Sequence, residues 1–183
     1  PILQSFKNKY PDDIHLMSGL HPTSVKENYK EELEFVVDSI NKYHYVAIGE
    51  IGIDLYWDKI YLKQQQEAFR VQIKLAVEHN LPIVIHCREA FDEIFEILNE
   101  ENCNNLRGIF HCFTGTNDQA EKAVSLGFLL GIGGVVTFKN GGIDKFLDQI
   151  DLKHIVLETD SPYLAPVPYR GKRNESSYII HVL

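Results

Sequence analysis

Cysteine is scarce in this sequence, and the three residues present, Cys87, Cys103 and Cys112, are odd in number and show no C-x-x-C spacing. That argues against a disulfide framework and a zinc knuckle and points to a reducing, cytoplasmic setting. No apolar run approaches the ~20 residues of a membrane span, and no basic-then-apolar leader is visible, although a chain starting at Pro1 leaves an upstream targeting segment open. Positive charge is also in short supply: 18 Lys and Arg against 26 Asp and Glu give a formal net charge of -8. A broad basic surface for coating nucleic acid is therefore excluded, and any phosphate-bearing substrate has to be held locally by a few cations or by metal. The single glycine cluster, Gly131-Ile132-Gly133-Gly134, runs into Val135-Val136-Thr137-Phe138, a strand pattern, where a dinucleotide-binding loop needs a helix. Close backbone packing within a strand is the better reading. Nothing marks a membrane or a stable protein partner.

What is present fits one globular domain over residues 1–183: the composition is 44% hydrophobic and 24% charged, enough for a real core. The organising stretch is Val46-Ala47-Ile48-Gly49-Glu50-Ile51-Gly52-Ile53-Asp54, an apolar strand pattern interrupted by the carboxylate of Glu50. Burying that charge is costly unless it is paired or bound to metal. Three later apolar runs supply partners at their ends: His86 after Pro82-Ile83-Val84-Ile85, His111 after Gly108-Ile109-Phe110, and Asp160 in His154-Ile155-Val156-Leu157-Glu158-Thr159-Asp160. One strand-end histidine is more often a satisfied core residue than a ligand. Four acids and imidazoles in the same position of successive units converge on one rim, as oxygen and nitrogen ligands of a divalent ion do.

Along the chain, Ile2, Leu3 and Phe6 mark the tail of a helix closed by a turn at Tyr10-Pro11-Asp12-Asp13. A strand over Ile14 to Leu20 follows, and Ser24-x-x-Glu27 reads as a capping box opening a helix whose apolar face is Leu33, Val36, Val37 and Ile40. After the Glu50 strand come a helix from about Leu62 to His79 and, beyond the His86 strand, one with Phe91, Ile94, Phe95 and Leu98 on one side, running into a polar loop. Thr116-x-x-Gln119 is a second capping box; Phe128 to Phe138 reads as a strand and Ile143 to Ile150 as a helix before the Asp160 strand. Alternation of this kind, with strands apolar on both faces, calls for an α/β fold with a parallel sheet covered by helices. An open doubly wound sheet would need the phosphate loop that is missing. A (β/α)8 TIM-barrel type is favoured, its active site on the carboxyl-terminal face, with about six of the eight units of a ~250-residue barrel present.

The motifs Gly19-Leu20-His21-Pro22, Gly49-Glu50-Ile51-Gly52-Ile53-Asp54, Pro82-Ile83-Val84-Ile85-His86-Cys87-Arg88, His111-Cys112-Phe113-Thr114-Gly115, Glu158-Thr159-Asp160-Ser161-Pro162-Tyr163-Leu164 and Arg170-Gly171-Lys172-Arg173-Asn174-Glu175 resemble, in order, those of the TatD-like metal-dependent deoxyribonucleases, amidohydrolase-type barrels. The resemblance implies a two-metal hydrolase: Glu50 bridges both ions, His86 and His111 hold one, and Asp160 helps hold the other. It also implies two divalent ions, Mg, Mn or Zn, in the complete protein. This sequence departs from the family by lacking the opening His-x-His strand, with only His15 in Ile14-His15-Leu16, by stopping inside an apolar pattern at Ile179 to Leu183, and by carrying Ser176 where the family usually has proline. The expectation is an internal piece of a longer protein, with one ion retained, the second site depleted, and a seam through which isolated pieces associate.

The chemistry can be argued from the residues as well. Phosphodiester cleavage needs a nucleophile generated at neutral pH and stabilisation of charge on the phosphoryl oxygens, and paired divalent ions supply both by activating water. Glu50 suits the bridge because a carboxylate has two oxygens to share, and Asp160 suits a metal ligand or a general base; its alternative is a cap for the Ser161-Pro162 turn. Arg88, two residues after His86 and so on the same strand face, presents a fork of donors for phosphate, or else an exposed salt bridge. His21 ends a strand and either contacts substrate or packs in the core. Arg170, Lys172 and Arg173 are the one cationic cluster, a phosphate contact or solvated surface. Cys87 and Cys112, each next to a proposed ligand, should point outward, buried and inert. The expected partner is DNA, entering an active-site pocket. A deacylase or lactonase on the same barrel is the enzyme alternative, and a metal-free binding or scaffold role the other.

Overall fold

The computed structural model describes residues 2–101 and 105–183, so Cys103 and part of the polar loop expected after Leu98 lie outside the described residues. The chain divides into two compact units, Pro1–Arg107 and Gly108–Leu183. The first unit contains α1 (Ile2–Lys9), β1 (Met17–Ser18), α2 (Tyr29–Lys42), β2 (Ala47–Asp54), α3 (Leu62–Glu78), β3 (Ile83–Arg88) and α4 (Phe91–Glu101); the second contains β4 (Gly108–Phe110), α5 (Asn117–Ser125), β5 (Phe128–Ile132) and β6 (Ile155–Leu157). All the pairings are parallel, β1 with β2 and β2 with β3 in the first unit, β4 with β5 and β5 with β6 in the second. No helix among the described residues is long and apolar enough to cross a membrane.

The apolar patterns fold as their spacing dictates. In the first unit Ile48, Ile51, Ile53, Ile83 and Ile85 from the strands are buried with Phe69, Ile73 and Ala76 of α3 and Ile94 of α4. Each of the isoleucines and Phe69 stabilises the fold by about 1.5–3 kcal/mol through the area it removes from water. Leu33, Val36 and Ile40 form the buried face of α2. In the second unit Phe110 meets Phe128 edge to face, ring centroids 5.6 Å apart, over Ala120 and Ala123 of α5, small residues that let that helix lie close. Thr116 and Gln119 form the expected reciprocal capping box, each side chain satisfying an N–H that the first turn of α5 leaves without an intrahelical partner.

Several boundaries differ from the expectation, each for a local reason. Ser24 does not cap α2: it lies in a 3-10 turn, Pro22–Ser24, while Asn28 precedes the helix without a side-chain cap. Glu27 instead accepts the hydroxyl of Tyr61, which holds its carboxyl below the usual range. β1 is laddered only at Met17 and Ser18, and β6 ends at Leu157, with one further bond from Glu158 N to Ile132 O at 3.0 Å. β5 stops at Ile132 rather than Phe138, because the chain turns at Gly133 into a 3-10 segment, Gly134–Thr137, that Thr137 Oγ1 closes on Gly134 O at 2.7 Å. The apolar residues Ile143 to Ile150 form two short 3-10 turns, Ile143–Lys145 and Leu147–Gln149, not an α-helix; Gly142, at φ +76°, starts the first, and each turn closes after three residues. Within β5, a Cβ on Gly131 would sit 2.5 Å from Glu158 Oε2. The glycine cluster thus serves close packing, as its sequence suggested.

Candidate active site

β2 pairs regularly with β3 through Gly49↔Val84 and resumes at Ile51↔Ile85, so the ladder steps over Glu50. A bulge of this kind breaks the two-residue alternation and re-aims one side chain. Glu50 is the half-buried position in a strand otherwise buried throughout. Further along, Gly52 lies opposite His86 at φ +139°, and a Cβ there would approach His86 O to 2.1 Å. Only glycine lets the two strands meet at the level of the site.

In the first unit His21, Glu50 and His86 each offer a ligand atom, and all three atoms lie within 4.8 Å of one another. His21 Nε2 is 3.6 Å from Glu50 Oε2, and the His21 and His86 rings are 4.4 Å apart between centroids at 61°. Ligands bound ~2.0–2.2 Å from an ion are at most about 4.4 Å apart. Two imidazoles and a carboxylate already this close, with the 3.6 Å pair at the spacing of adjacent ligands, fit a divalent ion after closing by a few tenths of an ångström. His21, expected to touch substrate or to pack in the core, is thus a third member of the candidate ligand set.

His86 Nε2 lies 2.8 Å from Asp54 Oδ2, and Asp54 is buried. A carboxylate can only accept, so Nε2 carries the hydrogen, which leaves Nδ1 as the nitrogen able to offer a lone pair. His111, in the second unit, takes the opposite arrangement: its Nδ1 is 3.0 Å from Glu158 Oε2 and its Nε2 is 3.5 Å from Asp160 Oδ1. The other oxygen of Glu158 accepts from Cys112 N at 2.7 Å, which holds Cys112 at φ +44° just past the histidine. Asp160 also adopts a left-handed conformation, φ +54°. Its side chain turns to His111; the following turn is capped by Thr159 Oγ1, which accepts from Ser161 N at 3.4 Å, so Asp160 is not the turn cap.

Three amides that sequence reasoning passed over pin these strand ends. Gln72 of α3 accepts from Leu20 N at 2.6 Å and donates to Leu20 O at 3.3 Å, fixing the residue before His21. Gln65, two turns earlier on the same helix, does the same for Asp54, at 2.8 and 3.2 Å. In the second unit Asn174, buried behind the cationic loop, donates to Thr159 O and Tyr163 O at 2.5 and 2.6 Å and so braces the Asp160 turn. The sequence contained one usable signal for the carboxylates: Asp54 and Glu158 each lie at the end of a strand that also carries a predicted site residue. For the two glutamines there was none beyond polar residues on an apolar helical face, and Asn174 stood in the Arg170-to-Glu175 motif without a role of its own.

Of the cations, Arg88 lies over the ring of Tyr56, 3.5 Å from its centroid, and Arg170 over Phe138 at 3.6 Å. Lys172 and Arg173 are exposed. Cys87 and Cys112 are half-buried rather than fully buried, and burial, aided by the nearby charges of Glu93 and Asp54, pushes the Cys87 thiol far above its ordinary range.

Parallel strands alternating with helices, with a carboxylate and imidazoles gathered at the strand ends, define the class as barrel-type metal-dependent hydrolases. The comparisons agree: the family described as TatD related DNase matches residues 2–183, and the chain belongs to it. It is 42% identical to the metal-dependent hydrolase YabD of Bacillus subtilis (strain 168) over 93% of this chain and 68% of that protein. It is 34% identical to the 3'-5' ssDNA/RNA exonuclease TatD of Pantoea vagans (strain C9-1), over 91% of this chain and 66% of that one. The crystal structure of YJJV, a TatD homologue from Escherichia coli K12, superposes with a TM-score of 0.85 at 28% identity, covering 99% of this chain and 70% of that one. The fold is therefore α/β of the TatD barrel type, and the chain spans about two thirds of the length of these relatives.

Proposed function

We propose that the protein hydrolyses phosphodiester bonds of DNA with the help of divalent metal. The observation that carries this reading is the approach of His21, Glu50 and His86 to one another at the ends of consecutive strands, in a chain of the TatD family. Glu50, His86, His111 and Asp160 are the residues that would hold divalent metal, and His21, close to Glu50 and His86, would join them. Divalent ions held there would supply a nucleophile at neutral pH and would neutralise charge on the phosphoryl oxygens.

The chain's own residues do the rest. Asp54 and Glu158 hold the imidazoles of His86 and His111 in opposite tautomers, so each presents a fixed nitrogen. Asp160 accepts the proton of the attacking water, whose oxygen bonds to phosphorus as the P–O bond to the leaving nucleoside breaks; the leaving oxygen takes up a proton from solvent. Arg88, Arg170, Lys172 and Arg173 are the proposed phosphate contacts in a chain of net charge -8. The name of the Pantoea relative supports single-stranded nucleic acid as the substrate class.

The test is turnover of a single-stranded oligonucleotide beside a lactone and an N-acyl amino acid, each with Mg, Mn or Zn and with a chelator. Metal-dependent release of nucleotides with the lactone and amide untouched supports the nuclease. Faster lactone or amide turnover establishes the deacylase or lactonase in its place, and no metal binding at all leaves the scaffold role.

A further inference from the structure

Beyond the carboxyl ends of β2 and β3 is a group of side chains that the candidate metal cluster does not use. Trp57 is 75% exposed and Tyr56 47% exposed, and their rings meet edge to face with centroids 4.8 Å apart at 86°. The Arg88 guanidinium lies 3.5 Å from the Tyr56 centroid and 5.9 Å from that of Trp57. This group is anchored to the site by backbone. Arg88 pairs with Asp54 in the ladder, Leu55 N donates to Arg88 O at 2.9 Å, and Tyr56 N donates to Asp54 Oδ1 at 3.0 Å, the carboxylate whose other oxygen holds His86.

Scattered exposed apolar residues need no explanation, but a tryptophan left in water beside a tyrosine and an arginine already stacked on it is a different case. Stacking on Tyr56 fixes the plane of the Arg88 fork, so little rotamer freedom is lost when it meets an anion. The exposed ring of Trp57 offers a π-face next to that fork. An aromatic face and a planar cation within a few ångströms match the two halves of a nucleotide, base and phosphate.

We propose that Trp57, Tyr56 and Arg88 form a nucleotide subsite for single-stranded DNA: one base stacks on Trp57 while Arg88, held flat by Tyr56, takes the adjoining phosphate. The proposal rests on the nuclease reading and deepens it, placing the unpaired base of the substrate beside the β2–β3 end of the site. Because every base has a π-face, the subsite accepts all four bases. It requires an unpaired one, since a base inside a duplex is already stacked.

Trp57 is the chain's single tryptophan, so emission excited at the red edge of the indole band, where tyrosine does not absorb, reports this position alone. The metal-loaded protein is titrated with a cleavage-resistant phosphorothioate oligothymidylate and with the same backbone made abasic. The expected result is saturable quenching by the first and little by the second. With a labelled strand, anisotropy should show affinity falling about tenfold for Trp57→Ala and largely kept for Trp57→Phe, the circular dichroism of both unchanged. Equal affinity for base-bearing and abasic strands, or a Trp57→Ala variant that binds as the parent does, overturns the subsite. Cleavage of unmodified DNA is followed in parallel: cleavage without base-dependent quenching sinks the subsite and leaves the nuclease standing, whereas base-dependent quenching without cleavage keeps the subsite and sinks the nuclease.

Discussion

Glu50 and Asp54 sit on one strand and do different work, and conservative substitutions separate them. Glu50→Gln keeps the shape of the side chain and removes the charge that draws cations to the cluster. Hydrolysis should vanish while the thermal midpoint stays within a few degrees of the parent; normal turnover at matched metal content would refute the bridging role. Asp54→Asn fills the same space but keeps only one acceptor oxygen, so with Oδ1 on Tyr56 N an NH2 donor, not an acceptor, faces His86 Nε2. Partners of this kind typically cost 10–100-fold in metal affinity when changed, so calorimetric titration with Mn or Zn should show a loss of about that size. An unchanged affinity would mean that Asp54 serves only to hold the Tyr56 backbone. Glu50 was legible in the sequence because a lone carboxylate breaks an apolar run. Asp54 was not, because an acid at a strand end looks like the start of a loop until the histidine opposite it is seen.

The strand ends owe their placement to α3, whose buried face carries two glutamines among its apolar residues. Each acts as a substitute peptide group, with one acceptor and one donor turned to the backbone of a strand end. Gln72→Ala strands the N–H and C=O of Leu20, and each buried polar group left without a partner costs about 1–3 kcal/mol. The urea midpoint should drop accordingly, and metal affinity should fall with it because His21 is the next residue; a fall in stability alone would show that His21 is placed by something else. Helices α2 to α5 were readable from 3.6-residue periodicity. The segments after β5 were not: a short apolar run near glycines satisfies strand, helix and 3-10 turn alike, and the left-handed conformation of Gly142 at the start of the first turn is one that hydrophobic patterning does not encode.

For the molecule as a whole, the acidic surface limits how DNA can be held. Arg88, Arg170, Lys172 and Arg173 are the proposed phosphate contacts, and each phosphate neutralised on a single strand contributes about 0.7 to the dependence of log affinity on log salt. Four contacts bound the slope at about -3, shallow for a DNA-binding protein. A binding series from 50 to 200 mM salt, by anisotropy with cleavage-resistant DNA, would expose a much larger electrostatic footprint as a steeper slope. The fold class and family were legible at this scale because five strand-end motifs and the Arg170-to-Glu175 loop occur in order. The division into two compact units was not, since nothing in composition changes near Arg107 and Gly108.

The way the β2–β3 ladder steps over Glu50 separates the placing of the acid from the pairing of the sheet. Gly49 and Ile51 already face consecutive residues of β3, Val84 and Ile85, as they would in a strand that never contained the acid. Glu50 is in this sense supernumerary: excising it altogether, as distinct from replacing it, should leave a regular strand in the same register, folded and inert. The sheet and the acid are thus separable: the pairing of β2 with β3 sets the frame, and the extra residue hangs the carboxylate on it.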